Sequence, residues 1–230
     1  MAACASHETR VREPVTLPEA TYAAVRQRES IQTLRARFSL EMRGGNEERR
    51  ADGVLLVKKP DRFRLRLLSA FGFTVFDYTS VGTHARMELP LEGKRFVDGE
   101  IPAHAAFSPA DMRTAFLGAG MVSDRCVPAV ARAQDAVLLC FGKDEVVTRR
   151  LVVDSATATI RQETDFAGGL PYLVMEFDDY RPVGRAVLPF AIDLHYPERN
   201  LRLKISVRRY EVNPVLPDGL FNSEPNAGQG

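Results

Sequence analysis

Cysteine 4 has the most definite chemistry in this chain. Met1-Ala2-Ala3-Cys4 has the form of the end of a bacterial lipobox, a run of small residues whose cysteine becomes the lipidated first residue of a mature lipoprotein. The charged and apolar parts of a signal peptide do not stand before it, which a lipoprotein reading explains as a leader left out upstream of a new Met1. An ordinary N-terminal cysteine is the plainer alternative. Cys126 and Cys140 could pair in an oxidising compartment or sit as small buried hydrophobes. The apolar run 137–141 around Cys140 favours the second.

Little else in the sequence could carry a reaction. His7, His84, His104 and His195 are scattered singly, with no i, i+4 pair and no cysteine partner, so no metal site is expected. There is no G-x-S-x-G elbow, no P-loop and no G-x-G-x-x-G after a strand. Gly118-Ala119-Gly120 follows a helical stretch instead of opening one, the wrong context for phosphate binding. Asp178-Asp179 stands before Tyr180-Arg181-Pro182 and reads as a solvated turn more readily than as a carboxylate pair. We therefore expect no catalytic residue, no cofactor and no enzyme.

Composition narrows the partners. In 230 residues, 31 Lys and Arg balance 30 Asp and Glu, a net charge of +1 that points to no nucleic acid. Hydrophobic residues make up 45%, enough for a real core. No stretch approaches the roughly 18 apolar residues of a spanning helix.

The elements around these residues are mostly strands. Residues 1–17 read as a flexible tether, lipidated at Cys4. Pro18-Glu19 can open a helix running to about Gln32. Leu34, Ala36, Phe38, Leu40 and Met42 then alternate with Arg35, Arg37, Ser39, Glu41 and Arg43, the period of a strand with one dry face. After a Gly44-Gly45-Asn46 turn, residues 47–57 return as its partner. Further extended pieces are expected at 84–89, 94–97, 137–141, 146–153, 157–163, 172–177, 187–196 and 201–210. Ser108-Pro109-Ala110-Asp111 reads as a helix start, with Met112, Ala115 and Phe116 on one face. Strands joined by short turns imply an antiparallel meander in one domain, residues 18–223, with 224–230 a disordered tail.

One hairpin is unusual. Phe63, Leu65 and Leu67 alternate with Arg62, Arg64 and Arg66, and extended residues resume at Thr74. Between them lies Ala70-Phe71-Gly72-Phe73. Hairpin tips are normally polar because they sit in water. The two phenylalanines either fold back onto the core or form a greasy tip for a membrane or a lipidated client.

Three stretches together resemble the LolA/LolB lipoprotein-carrier family, closest to LolB-like outer-membrane lipoproteins. They are Asp61-Arg62-Phe63-Arg64-Leu65 with Ala70-Phe71-Gly72, the helix-like SPADMRTAFLG of residues 108–118, and residues 179–209 from DYRP onward. Phe71 stands where the LolB loop usually has leucine, and the ending 213–221 looks more like LolA-type proteins. The resemblance implies a mainly β (α+β) fold: a single curved antiparallel sheet, a half-barrel, with helices closing its concave side over an apolar cavity. Phe38, Leu40, Phe63, Leu65, Leu67, Phe116, Phe190, Ile192, Leu203 and Ile205 would line that cavity, and Ala70, Phe71, Gly72 and Phe73 would form a membrane-insertion loop. It also implies a lipid-anchored, periplasm-facing protein of the outer membrane that binds acyl chains, accepts lipoproteins from a LolA-like periplasmic carrier and inserts them. A scaffold lipoprotein of the same fold docking an envelope complex, or a periplasmic glycolipid carrier, are the alternatives.

Overall fold

The computed structural model describes residues 30–45, 47–98, 108–117, 126–131 and 135–222. The first half comprises β1 (Thr33–Gly44), β2 (Glu47–Lys58), β3 (Arg62–Leu68), β4 (Thr74–Val81), β5 (His84–Leu89) and β6 (Lys94–Val97), then helix α1 (Pro109–Leu117). The second half comprises β7 (Cys126–Ala131), β8 (Asp135–Phe141), β9 (Val147–Asp154), β10 (Thr159–Ala167), β11 (Leu170–Val183), β12 (Ala186–Tyr196) and β13 (Leu201–Val212).

All thirteen strands form one sheet in the order β6-β5-β4-β3-β2-β1-β13-β12-β11-β10-β9-β8-β7. Two antiparallel meanders thus meet where β1 pairs with β13, at the centre of the sheet. The edge strands β6 and β7 do not pair with each other, so the sheet stays open. Open twisted sheets beyond about ten strands curl, and bulges are one device for bending them. Register shifts fall between Arg37 and Phe38, between Leu67 and Leu68, and at four further pairings in the second half. Both edges are blunted: β6 is four residues long with Lys94 and Arg95, and β7 carries Pro128.

The alternation seen in the sequence decides which face is dry. In β3 the pattern intermediate–buried repeats without a fault, and in β13 buried and exposed residues alternate from Leu201 to Arg208. The dry face carries α1, whose Ser108 hydroxyl accepts the Asp111 backbone N–H at 3.4 Å. Met112, Ala115 and Phe116 are wholly buried against the sheet. The Phe116 ring packs tilted against Phe38 at 4.8 Å, and Tyr196 donates its hydroxyl to the Asp111 carboxylate at 3.0 Å. Gly53 on β2 lies opposite Phe38, and any side chain there would overlap that ring. The middle of the dry face is therefore packed solid.

Several expectations need correction. Cys126 and Cys140 are directly opposed across β7 and β8 and form a disulfide. The apolar run around Cys140 reflects burial of β8, which pairing does not prevent. β7 itself went unread, since residues 126–131 have no polar–apolar alternation. Asp178 and Asp179 lie inside the long β11, with Asp179 in a left-handed conformation that its Arg181 partner holds. Residues 31–32 are not helical, so no helix reaches Gln32. Only α1 covers the dry face among the described residues. Cys4, the tether, most of the stretch from Pro18 and the 224–230 tail lie outside them.

Candidate functional site

Nine of the ten residues expected to line an acyl cavity are buried in one continuous apolar cluster, and Phe190 packs against it. Phe38, Phe63, Leu65, Phe116, Ile192, Leu203 and Ile205 are core in the ordinary sense. The open space lies beside them. The dry face continues past the end of α1 into a groove of about 730 Å³, within the usual range for small-molecule sites. Of the expected lining residues, Leu40 and Leu67 border it, and so does Ala70 from the expected insertion loop.

Met42, on the expected dry face of β1, borders it as well. The remaining walls come from residues that the alternation does not mark: β4 supplies Phe76, β5 supplies Met87 and Leu89, and β6 supplies Phe96. Strand pairing explains their convergence: Leu67 lies opposite Phe76, Tyr78 opposite Met87, and Met87 opposite Phe96. Arg49, Arg50, Glu92 and Lys94 give the rim its charge. Apolar side chains from strands β1 to β6 thus share the groove with four charged ones.

Two exposed apolar turns stand at this mouth. In the β3–β4 tip, Phe71 is 87% exposed and Phe73 66%. The backbone holds them out. The Ser69 carbonyl accepts the Gly72 N–H at 2.9 Å, Ser69 N–H donates to the Phe73 carbonyl at 2.8 Å, and Gly72 takes φ +81°. A left-handed glycine suits such a tight hairpin tip, and the tip carries Phe71 out into solvent. The second turn is 90–92, where Leu91 is 72% exposed while also bordering the groove. An apolar residue at the tip of a Pro/Gly-bounded turn was the available signal for Leu91, the same one that marks Phe71.

The charged residues of the dry face gather at the opposite flank of the sheet. Arg149 bonds Asp165 at 2.6 Å and Glu163 at 2.7 Å, and the Tyr172 hydroxyl lies 3.5 Å from Asp165. Burial, with Asp165 and Asp111 nearby, pushes the Tyr172 phenol up to about 12. Burial likewise raises Asp111, against the opposing hydrogen bond from Tyr196. These groups are tied to one another and are remote from the groove's lining. Among the described residues, no three His, Cys, Asp or Glu side chains could hold a metal ion.

No family model matches the sequence, and no curated protein matches it. Solved structures do. A domain assigned to outer-membrane lipoprotein sorting from Vibrio parahaemolyticus superposes with TM-score 0.63 at 10% identity, over 89% of this chain and 95% of that one. A LolA superfamily protein from Nitrosomonas europaea gives TM-score 0.64 at 12% identity, over 91% and 98%. A DUF1329 family protein from Desulfovibrio piger gives 0.64 at 11%, over 90% and 98%. The chain thus has the half-barrel fold of LolA superfamily proteins, as the sequence resemblance implied.

Proposed function

We propose that this protein is a lipid-anchored, periplasm-facing lipoprotein of the outer membrane that accepts lipoproteins from a LolA-like carrier and inserts them. The acyl chains would occupy the groove between β1 and β6, with Phe71 and Phe73 entering the leaflet. The observation that carries this reading is the placement of an apolar groove directly behind an exposed phenylalanine tip. A monomer exposing apolar groups together in this way has a partner for them. The Cys126–Cys140 disulfide supports an oxidising compartment such as the periplasm, and Cys4 would supply the anchor.

A fluorescent fatty-acid analogue tests the groove. It should bind the purified chain and be displaced by detergent. Ala51→Phe, which places a ring in the groove from β2, should weaken binding. One observation favours the scaffold alternative: the Phe38–Phe116 pair fills the middle of the dry face. Saturating probe without binding would decide for that scaffold.

A further inference from the structure

The opposite face of the sheet carries a charge pattern that the chain's overall balance hides. A second groove of about 720 Å³ lies over β13, β1, β2 and β3, with Val54, Leu56, Leu68 and Leu220 among its lining. Strand register sets its arginines in rows. Arg209, Arg37 and Arg66 occupy one row, with Val54 between the last two. Arg35 and Arg64 stand in the next, across Leu56. Arg208 enters at the β13 bulge.

Directly opposed like charges destabilise a sheet, because their Cβ atoms are only about 5 Å apart, yet Arg37 and Arg209 are so paired. The carboxylates present do not balance the set. Asp77 is shared between Arg64 at 2.7 Å and Arg66 at 2.8 Å. Glu211 is shared between Arg35 at 3.1 Å and Arg209 at 3.3 Å, and Asp52 takes Arg208 at 2.6 Å. Arg37 is exposed and has no carboxylate partner among the described residues. Six arginines thus face three carboxylates, in a protein whose whole net charge is +1.

The groove starts at Leu68, the end of β3 from which the phenylalanine tip projects. The first arginine row is two residues back, about 7 Å at strand rise. The polar headgroup layer of one leaflet is about 5–8 Å deep. A tip entering the hydrocarbon would set this row among the headgroups.

From this placement, which rests on the tip reading for its orientation, we infer that the arginine groove is a docking site for the phosphate headgroups of anionic lipids. Guanidinium forks suit phosphate oxygens, and the leucine and valine floor accepts the adjoining glycerol and first methylenes. Arg37 would then gain a carboxylate-like partner, and Arg209 would no longer depend on a Glu211 that it shares with Arg35.

The test uses the full chain with vesicles of phosphatidylcholine alone or mixed with phosphatidylglycerol. The native protein should prefer the anionic vesicles, and raised salt should weaken that preference. Basic residues near an anionic surface contribute about fivefold in affinity each. Arg37→Gln with Arg209→Gln should therefore lose about 25-fold on anionic vesicles and nothing on neutral ones, while Arg37→Lys with Arg209→Lys keeps most of the affinity. The unfolding midpoint of the double glutamine variant should not fall, because an unfavourable like-charge pair has been removed.

Equal binding of the native and glutamine proteins to anionic vesicles would overturn the inference. So would displacement by a soluble acidic peptide or by inorganic phosphate as effective as displacement by vesicles. Phe71→Glu separates the two readings. Loss on both vesicle types with the anionic preference absent from the start sinks the groove alone. An unchanged Phe71→Glu beside a defective arginine variant upholds the groove and sinks the tip.

Discussion

Replacing Phe71 and Phe73 together by glutamate probes the tip at a predictable magnitude. A buried phenylalanine emptied to alanine costs about 3–5 kcal/mol, but Phe71 is 87% and Phe73 66% exposed, so each has little folding energy to lose. Exposed substitutions stay within about 0.5 kcal/mol, and the Ser69–Phe73 hydrogen bonds that shape the turn are backbone bonds available to any residue. Membrane transfer is different. Full burial of a phenylalanine contributes roughly 1.5–3 kcal/mol, and scaling by the two exposures gives roughly 2.3–4.6 kcal/mol for the pair. That corresponds to about 50- to 2500-fold in partitioning. A lipid at Cys4 would mask it, since two acyl chains anchor stably by themselves. The partition assay must therefore use the unlipidated chain, with delivery of a lipid-anchored client to liposomes measured separately. We expect partitioning and delivery to fall together, with an unchanged unfolding midpoint and unchanged fatty-acid binding. A midpoint lowered by several kcal/mol would show that the phenylalanines support the fold. Unchanged partitioning would show that the exposed tip does not enter lipid.

Other predictions address the frame. Gly72→Ala, forced to φ +81°, should lower stability by about 1 kcal/mol in chemical denaturation; no change would mean the turn relaxes. Cys126→Ala with Cys140→Ala opens a loop of sequence separation 14 and should cost about 2–3 kcal/mol, with reduction of the native protein producing the same shift. For Asp111 the folded pKa lies above the unfolded one, so the native state binds the proton more tightly. Stability should fall as pH rises from the ordinary carboxylate value through that raised pKa, and Asp111→Asn should remove this dependence. Burial raises the Tyr172 phenol to about 12; the phenolate absorbance gained between about pH 9 and 11, one unit either side of an ordinary tyrosine midpoint, should therefore be nearly the same in Tyr172→Phe as in the native chain.

Much of the architecture was legible because the strands of β1, β3, β12 and β13 write their burial as a period of two. Phe63-Arg64-Leu65-Arg66-Leu67 specifies a strand and its dry face at once. β7 was not legible, since Cys-Val-Pro-Ala-Val-Ala shows no contrast between faces on a sheet edge. The 178–182 stretch misled because paired aspartates and a proline suggest a turn, whereas Asp179 supplies a left-handed residue within a strand that continues. The site was harder still. Periodicity identifies which residues face inward but carries no information on how much space remains between them. Phe38 meets Phe116 only because Gly53 leaves room for its ring, a fact of three separate elements. For that reason the alternation marks Leu40, Met42 and Leu67 as facing the dry side but not that they border open space, and it does not mark Phe76, Met87 and Phe96, which complete the groove.

The division between a filled and an open part of the dry face has its own consequence for transfer. A cavity closed on all sides by core would hold an acyl chain tightly and release it slowly. On the proposed reading, a groove ending at the tip would instead expose a bound chain along its mouth, where contacts with Leu91 could be exchanged for lipid contacts one methylene at a time. At about 0.8 kcal/mol per methylene, a chain half withdrawn into the leaflet loses little free energy overall, since each carbon leaving Leu67 and Met87 is buried again in hydrocarbon. On that reading the packed Phe38–Phe116 core would be the stop that limits how deep the chain can go. Shortening that stop, by Phe116→Ala, should let the groove bind longer fatty acids more tightly while slowing their passage to liposomes. Tighter binding with unchanged or faster passage would refute the idea that a shallow groove is what makes release possible.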